Sequence, residues 1–186
     1  MTKHEIVVVK LGGSLLKAPG LYEKLSVYLA QIDALILLVV GGGEAVQRVR
    51  EIDQQVGLQA DVAHNMALMA MSVNAGEVCS NLSNARMVRH LKDANEVWEK
   101  AGIAVVEPTC WLPEEVGDRV IKSWQMTSDS IAGLIAQGLG CRRLVLLKAC
   151  QVSEHLSISE MVEKSIVDDL FEKFSSGIDQ VEVKQF

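Results

Sequence analysis

The stretch Ile-Val-Val-Val-Lys-Leu-Gly-Gly-Ser, residues 6–14, decides the fold class. Ile6 to Val9 are β-favouring residues without polar alternation, which suits a strand covered on both faces, as in a parallel sheet flanked by helices. The glycine pair ends the strand. Beyond it, Pro19 to Gln31 carries Leu21, Leu25 and Leu29 at helical spacing, with a proline near its first turn. The same order then recurs. Ala34 to Val40 is a second unbroken apolar run, Gly41, Gly42 and Gly43 close it, and Glu44 to Val56 sets Ala45, Val49, Ile52 and Val56 at helical spacing. Two strand–turn–helix units in succession predict an α/β fold on a parallel sheet.

Further along, Ala60 to about Asn81 reads as a long helix, apolar around most of its circumference. Val62, Met66, Met69 and Val73 share one face, with Ala63, Ala67, Ala70 and Met71 beside it. Such a helix belongs in the core or in a subunit interface, and the second option predicts a homo-oligomer. Asn84 to Lys100 lacks a clean period and reads as a short helix with a connection. Ile103 to Glu107 is a third strand, followed by an irregular stretch marked by Pro108, Pro113 and Gly117. Thr127, Ser128 and Asp129 offer N-cap residues for a helix over Ser130 to Leu139. Arg143 to Lys148 is another buried strand, Val167, Leu170, Phe171 and Phe174 define an amphipathic helix, and Val181 and Val183 mark a last strand. With no linker or repeat, residues 1–186 read as a single domain.

Composition narrows the function. Hydrophobic residues at 49% and charged residues at 23% exclude disorder and a disulfide-dense miniature scaffold. Aromatics at 4%, and 18 basic against 24 acidic residues, suit neither base stacking nor phosphate-backbone binding, so no nucleic-acid partner is expected. The longest apolar run, Ala34 to Val40, is far too short to span a bilayer, so no membrane association is expected. The opening Met-Thr-Lys-His-Glu lacks the layout of an export signal. Cys79, Cys110, Cys141 and Cys150 form neither a CxxC pair nor a zinc spacing, and read as reduced, mostly buried thiols of a cytoplasmic protein with no protein metal site.

Three stretches carry candidate chemistry. At Lys10, Gly12, Gly13 and Ser14 the missing Cβ atoms let backbone N–H groups approach an anion, although a plain strand–helix turn with a solvated lysine explains the same residues. Gly41, Gly42 and Gly43 lie, like the first turn, at the carboxyl end of a strand, where open parallel sheets bind ligands. Three ordered glycines are entropically costly, and no packing role of their own is expected for them. In Thr127-Ser128-Asp129-Ser130, Asp129 is either a first-turn acid on the helix dipole or, together with Lys148, part of the site. His64 is a core or interface histidine or a contact to a substrate. Trp111 and Trp124 are loop anchors or a lid. Met66, Met69 and Met71 read as adaptable packing, and Glu114, Glu115 and Asp118 as a solvated acidic rim. A dehydrogenase-like reading would need G-x-G-x-x-G, and neither glycine turn has that spacing.

Taken in order, Val-Lys-Leu-Gly-Gly-Ser (9–14), Val-Val-Gly-Gly-Gly (39–43), Thr-Ser-Asp-Ser-Ile-Ala (127–132) and Leu-Val-Leu-Leu-Lys-Ala (144–149) resemble the amino acid kinase superfamily. The His-Asn-Met-Ala-Leu-Met-Ala-Met stretch (64–71) and the short chain are most similar to its small aminomethylfuran-methyl phosphate kinase-like members. The resemblance implies a three-layer α/β/α sandwich with a mainly parallel central sheet. It implies ATP with Mg²⁺ as donor, and an anionic small-molecule acceptor, a phosphate monoester converted to a diphosphate. Lys10 would then neutralise charge on the transferred group while Gly12, Gly13 and Ser14 hold the ATP phosphates. Gly41, Gly42, Gly43, His64 and Ser128 would face the acceptor. Asp129 would orient the lysines without acting as a base, and Lys148 with Ala149 would sit on the nucleotide side. Mg²⁺ would be held mainly by triphosphate and water.

Such roles suit phosphoryl transfer, which needs positioning and charge stabilisation more than covalent help. Relatives continue with a Val-Asp-Gly-Val-Tyr type segment where this chain has Cys150 to His155, and the C-terminal nucleotide-binding part is shortened. A non-catalytic nucleotide- or oxyanion-binding member acting as an assembly subunit is the alternative.

Overall fold

Strands that are apolar on both faces must be covered on both, and the chain meets that demand with helices above and below one sheet. The computed structural model describes residues 5–153 and 155–186. Residues 1–4, read above as lacking an export signal, and Glu154, inside the altered 150–155 segment, lie outside the described residues. The strands are β1 (Ile6–Leu11), β2 (Leu35–Val40), β3 (Ala85–Val88), β4 (Ile103–Val106), β5 (Arg143–Lys148) and β6 (Gln180–Gln185). The helices are α1 (Leu21–Ala30), α2 (Gly43–Val56), α3 (Ala60–Asn81), α4 (Leu91–Trp98), α5 (Pro108–Trp111), α6 (Ser128–Gly138), α7 (Ile158–Glu163) and α8 (Phe171–Ser175). Sheet order is β3-β4-β2-β1-β5-β6, and every neighbouring pair is parallel.

Alternation along β1 divides the core. Val7, Val9 and Leu11 pack with Leu21, Leu25 and Leu29 of α1 and Ala75 and Val78 of α3. Val8 packs on the other side, in a core shared with Trp98 of α4, Ile131 and Leu134 of α6, and Phe171 and Phe174 of α8. This is the expected three-layer α/β/α sandwich, with a sheet that is wholly rather than mainly parallel. From β1 the chain builds outward through β2 to β4 and β3, then returns to place β5 on the other flank of β1. The switch point, where such sheets open a crevice, therefore lies at the carboxyl end of β1.

Several expectations change. Strand β3 lies inside the stretch read as helix and connection; it is a four-residue edge strand with Arg86 and Met87 exposed, too short for a periodic signal. Helix α5 interrupts the irregular stretch, with Pro108 in its first turn and the Glu107 side chain accepting from the Cys110 amide. Helix α7, closed by a Ser157/Glu160 capping box, was not expected, and the tail helix shrinks to one turn, α8, with Val167 buried ahead of it. On α2, Val49 is buried, but Ile52 and Val56 are exposed. Helix α3 buries Ala63, Leu68, Met71, Ala75 and Val78, which leaves Val62, Met69 and Val73 of the opposite face in solvent. All four cysteines are free, yet only Cys141 is buried and Cys150 is exposed. Glu115 is not a rim residue: it is half-buried and accepts from the Leu91 amide at 2.8 Å, at the start of α4. Trp111 is fully buried in the core and cannot form a lid. No helix among the described residues is long and apolar enough to cross a membrane.

Candidate active site

Side chains two apart on a strand share a face, so Lys10 points to the side of Val8, the side α6 covers. The parallel register sets Lys10 beside Val39 of β2 and Leu146 of β5. The ends of β1, β2 and β5 consequently lie together, and α6 brings Asp129 over them from its first turn. Lys10 Nζ is 2.7 Å from Asp129 Oδ1, close enough for an ion pair although not aligned as a hydrogen bond. Lys148 Nζ donates to Asp129 Oδ2. Lys10 and Asp129 are 4% and 3% exposed, so three charges meet almost out of water. Burial alone would push the Asp129 carboxyl up, but the two ammonium groups outweigh it and hold the carboxyl below the usual range. Burial, and then the Lys10 charge, push Lys148 below the usual ammonium value against the pull of Asp129. One positive charge is in excess.

The two glycine turns interlock. A Cβ on Gly13 would lie 2.1 Å from the Gly43 amide nitrogen, and one on Gly41 would lie 2.7 Å from the Gly13 nitrogen. These glycines therefore do have a packing role, contrary to the expectation for Gly41 to Gly43. Only hydrogen in place of a side chain lets the backbones approach this closely. On Gly12, a Cβ would be 2.8 Å from Leu147 O, the carbonyl that accepts from the Gly12 amide. Asn74, buried on α3, secures the assembly by donating from Nδ2 to Gly41 O at 2.8 Å. Neither the 3-10 turn over Gly13–Lys17 nor α2 has a side-chain cap on its N-terminus, so the first amides of both are free of side-chain acceptors next to Lys10 and Lys148. Ser14 is exposed on the first of these turns, and Ala149 is exposed just past β5.

Beyond Gly42 and Gly43 lies a pocket of about 240 Å³ whose wall includes Arg50, His64, Met71, Trp124 and Ser128. It adjoins a second of about 270 Å³ that shares His64 and Trp124 and adds Lys122 and Asp53. His64 is half-buried on this wall, and burial, followed by the Lys122 charge, lowers its pKa. The Arg50 guanidinium stacks over the Trp124 ring at 4.8 Å, and Trp124 Nε1 donates to Asp53 Oδ2 at 2.6 Å. Of the two tryptophans considered as a lid, Trp124 thus forms a pocket wall tied to α2. Among the described residues no group of three or more His, Cys, Asp or Glu could hold a metal ion, and the Asp129 carboxylate already faces two ammonium groups.

The site residues read from the sequence do converge: Lys10, Asp129 and Lys148 touch, the turns of Gly12–Ser14 and Gly41–Gly43 abut, and His64 and Ser128 line the adjoining pocket. Reading the sequence missed Asn74, Arg50, Asp53 and Asp168. No spacing marks them, because each acts through a contact distant along the chain.

A family model described as the amino acid kinase family matches residues 5–151. Over 172 residues the chain is 27% identical to the (5-(aminomethyl)furan-3-yl)methyl phosphate kinase of Methanocaldococcus jannaschii, covering 91% of this chain and 70% of that protein. Among solved structures, the UMP kinase from Ureaplasma parvum superposes with a TM-score of 0.70 at 14% identity, covering 99% of this chain and 91% of that one. The uridylate kinase from Archaeoglobus fulgidus gives a TM-score of 0.68 at 17% identity, covering 97% and 90%. These likenesses to solved structures establish the fold.

Proposed function

The chain belongs to the amino acid kinase family and is a phosphotransferase, and from that premise we propose that it moves the γ-phosphoryl group of ATP onto a phosphate monoester, giving a diphosphate. The observation that carries the reading is the buried triad with one carboxylate between two ammonium groups. Burying unbalanced cations is costly, and an arriving anion balances them. The spreading negative charge of a phosphoryl group in flight is the species such a niche stabilises best.

Each residue then has a task. The amides of Gly13 and Ser14 cradle the donor phosphates, with Lys148 and Ala149 on the same flank, while Gly12, whose own amide is bound to Leu147 O, shapes the turn that presents them. Lys10 follows charge onto the transferred group. Gly42 and Gly43, at the uncapped start of α2, receive the acceptor phosphate, while Gly41 keeps the two turns in register. Ser128 and His64 flank the acceptor, and Arg50 and Trp124 contact its body. Asp129 holds the lysines apart and does not serve as a base, since its lowered pKa leaves it a poor proton acceptor. None is required: a phosphate monoester has its second pKa near 6 and offers an unprotonated oxygen at neutral pH. Mg²⁺ would arrive on the triphosphate, its oxygens and water serving as ligands. The relative that phosphorylates a furan-methyl phosphate supports a flat or apolar acceptor body.

The test is Mg-ATP with (5-(aminomethyl)furan-3-yl)methyl phosphate and a panel of other phosphate monoesters, with diphosphate product read by phosphorus NMR. Diphosphate formed by the wild type and lost in Lys10→Met is expected. Mg-ATP binding without ADP formation for any acceptor would leave a non-catalytic nucleotide binder instead.

A further inference from the structure

We infer that Asp168 is a positioning residue for phosphoryl transfer: its carboxylate locks the first turn of α6 so that Asp129 bridges Lys10 and Lys148. Asp168 lies outside the stretch the family model matches. Its Oδ2 accepts from the Thr127 amide at 2.8 Å, the Thr127 hydroxyl at 2.7 Å and the Ser130 amide at 3.0 Å. Its Oδ1 accepts from the Ser130 hydroxyl and, at 3.2 Å, from the Leu170 amide. The donors on Thr127 and Ser130 straddle Asp129, so the backbone before and after the bridging residue is pinned to one carboxylate.

Capping by Thr127 is supplemented from outside the helix. Thr127 is the N-cap, its oxygen accepting from the Asp129 amide at a long 3.5 Å while its hydroxyl donates to Asp168. Asp168 takes the Ser130 amide, the third in the helix, with charge-assisted bonds. An acid in the first turn of a helix ordinarily settles on that helix's own amides. Here Asp168 fills that place, and the Asp129 carboxylate is free to reach out to the lysines. The delivery of Asp168 is itself fixed, because α8 docks on α6 where Gly133 has no side chain: a Cβ there would meet Phe174 O at 2.7 Å. Phe171 and Phe174 are buried behind it.

The kinetic consequence rests on the kinase reading above; the positional one does not. Asp168→Ala removes every acceptor, and Asp168→Asn keeps the shape but only one acceptor oxygen. Using Mg-ATP and (5-(aminomethyl)furan-3-yl)methyl phosphate, kcat of the alanine variant should fall on the order of 100-fold, with both KM values within roughly threefold of wild type, since misplaced charge slows the step more than it weakens binding. The asparagine variant should be intermediate. A lower melting temperature with kcat per folded molecule within roughly threefold of wild type would make Asp168 purely structural and overturn the proposal. The second measurement is a crystal structure of Asp168→Ala or, if that chain does not fold, of Asp168→Asn. Asp129 should no longer reach both ammonium groups. Unchanged contacts to Lys10 and Lys148 overturn the proposal even if the wild type transfers no phosphoryl group, the result that would instead reject the kinase reading.

Discussion

Removing Lys10 and removing Asp129 should both abolish phosphoryl transfer, yet they should affect stability in opposite proportion. Asp129 is 3% exposed and contacts two ammonium groups, one of them only 4% exposed. At an effective dielectric constant near 20, each such contact amounts to about 4–6 kcal/mol of attraction before desolvation. Asp129→Ala leaves two buried like charges with no counter-charge, and breaking a buried ion pair in this way costs about 3–5 kcal/mol. Lys10→Met leaves Asp129 paired with Lys148 and removes the cation–cation repulsion, so it should change stability by less than about 1 kcal/mol, a methionine filling much of the lysine's volume. The double variant should recover part of the Asp129→Ala loss, with a coupling of about 1–3 kcal/mol. Urea unfolding at neutral pH, extrapolated to water, measures all three. If Lys10→Met proved as damaging as Asp129→Ala, or the double variant fell below both, the triad would not carry an excess positive charge, and the electrostatic basis of the proposed function would fail.

Three further outcomes follow from packing and titration. Gly13→Ala should destabilise by about 3 kcal/mol or more, because its Cβ would meet backbone at 2.1 Å, whereas Gly76→Ala, whose Cβ meets only Met87 Cε at 3.5 Å inside α3, should stabilise by about 0.5–1 kcal/mol; thermal melts of both check this. Burial would raise the Glu107 pKa, but donation from Ser72, Cys110 and Thr109 lowers it from its ordinary 4.5 to about 2. A carboxyl held low contributes stability that is full above 4.5 and lost as pH falls toward 2, so Glu107→Gln should flatten unfolding free energy across that window and leave the neutral-pH slope unchanged. The exposed face of α3, with Met69 62% and Val73 71% accessible, should be covered by a second copy of the chain; light scattering should find a dimer or larger species, and Met69→Lys with Val73→Lys should release a monomer.

Periodicity and turn chemistry carried the sequence reading far. The unbroken runs 6–9 and 34–40, the first ending two residues short of a glycine pair and the second stopped by three glycines, already call for buried parallel strands, as does the run 144–147, and the burial of β1, β2 and β5 matches them. Lys10, Asp129 and Lys148 were legible because strand ends and helix starts are local features, and parallel sheets gather them on one edge. What failed was of two kinds. Elements of four to six residues, β3 and α7, are too short for a period to show. On α2 the apolar residues Ile52 and Val56 fall outside the buried stripe that holds Val49, and α3 is apolar on both faces, so a helical wheel does not say which face meets the sheet.

The amino-acid sequence by itself determined the strand–glycine–helix units and the identity of the charged groups at their ends, since both depend on neighbours within a turn or two of chain. Only the tertiary structure decided that both oxygens of Asp129 are claimed by lysines, that Gly13 and Gly43 touch backbone to backbone, and that Asp168 holds the turn that makes the bridge. Those contacts join residues far apart along the chain. The glycine contact needs β2 beside β1, the Lys148 contact needs β5 inserted on the other flank of β1 rather than beyond β3, and the Asp168 contact needs α8 docked on α6, choices made by the burial of whole faces and not by any local stretch.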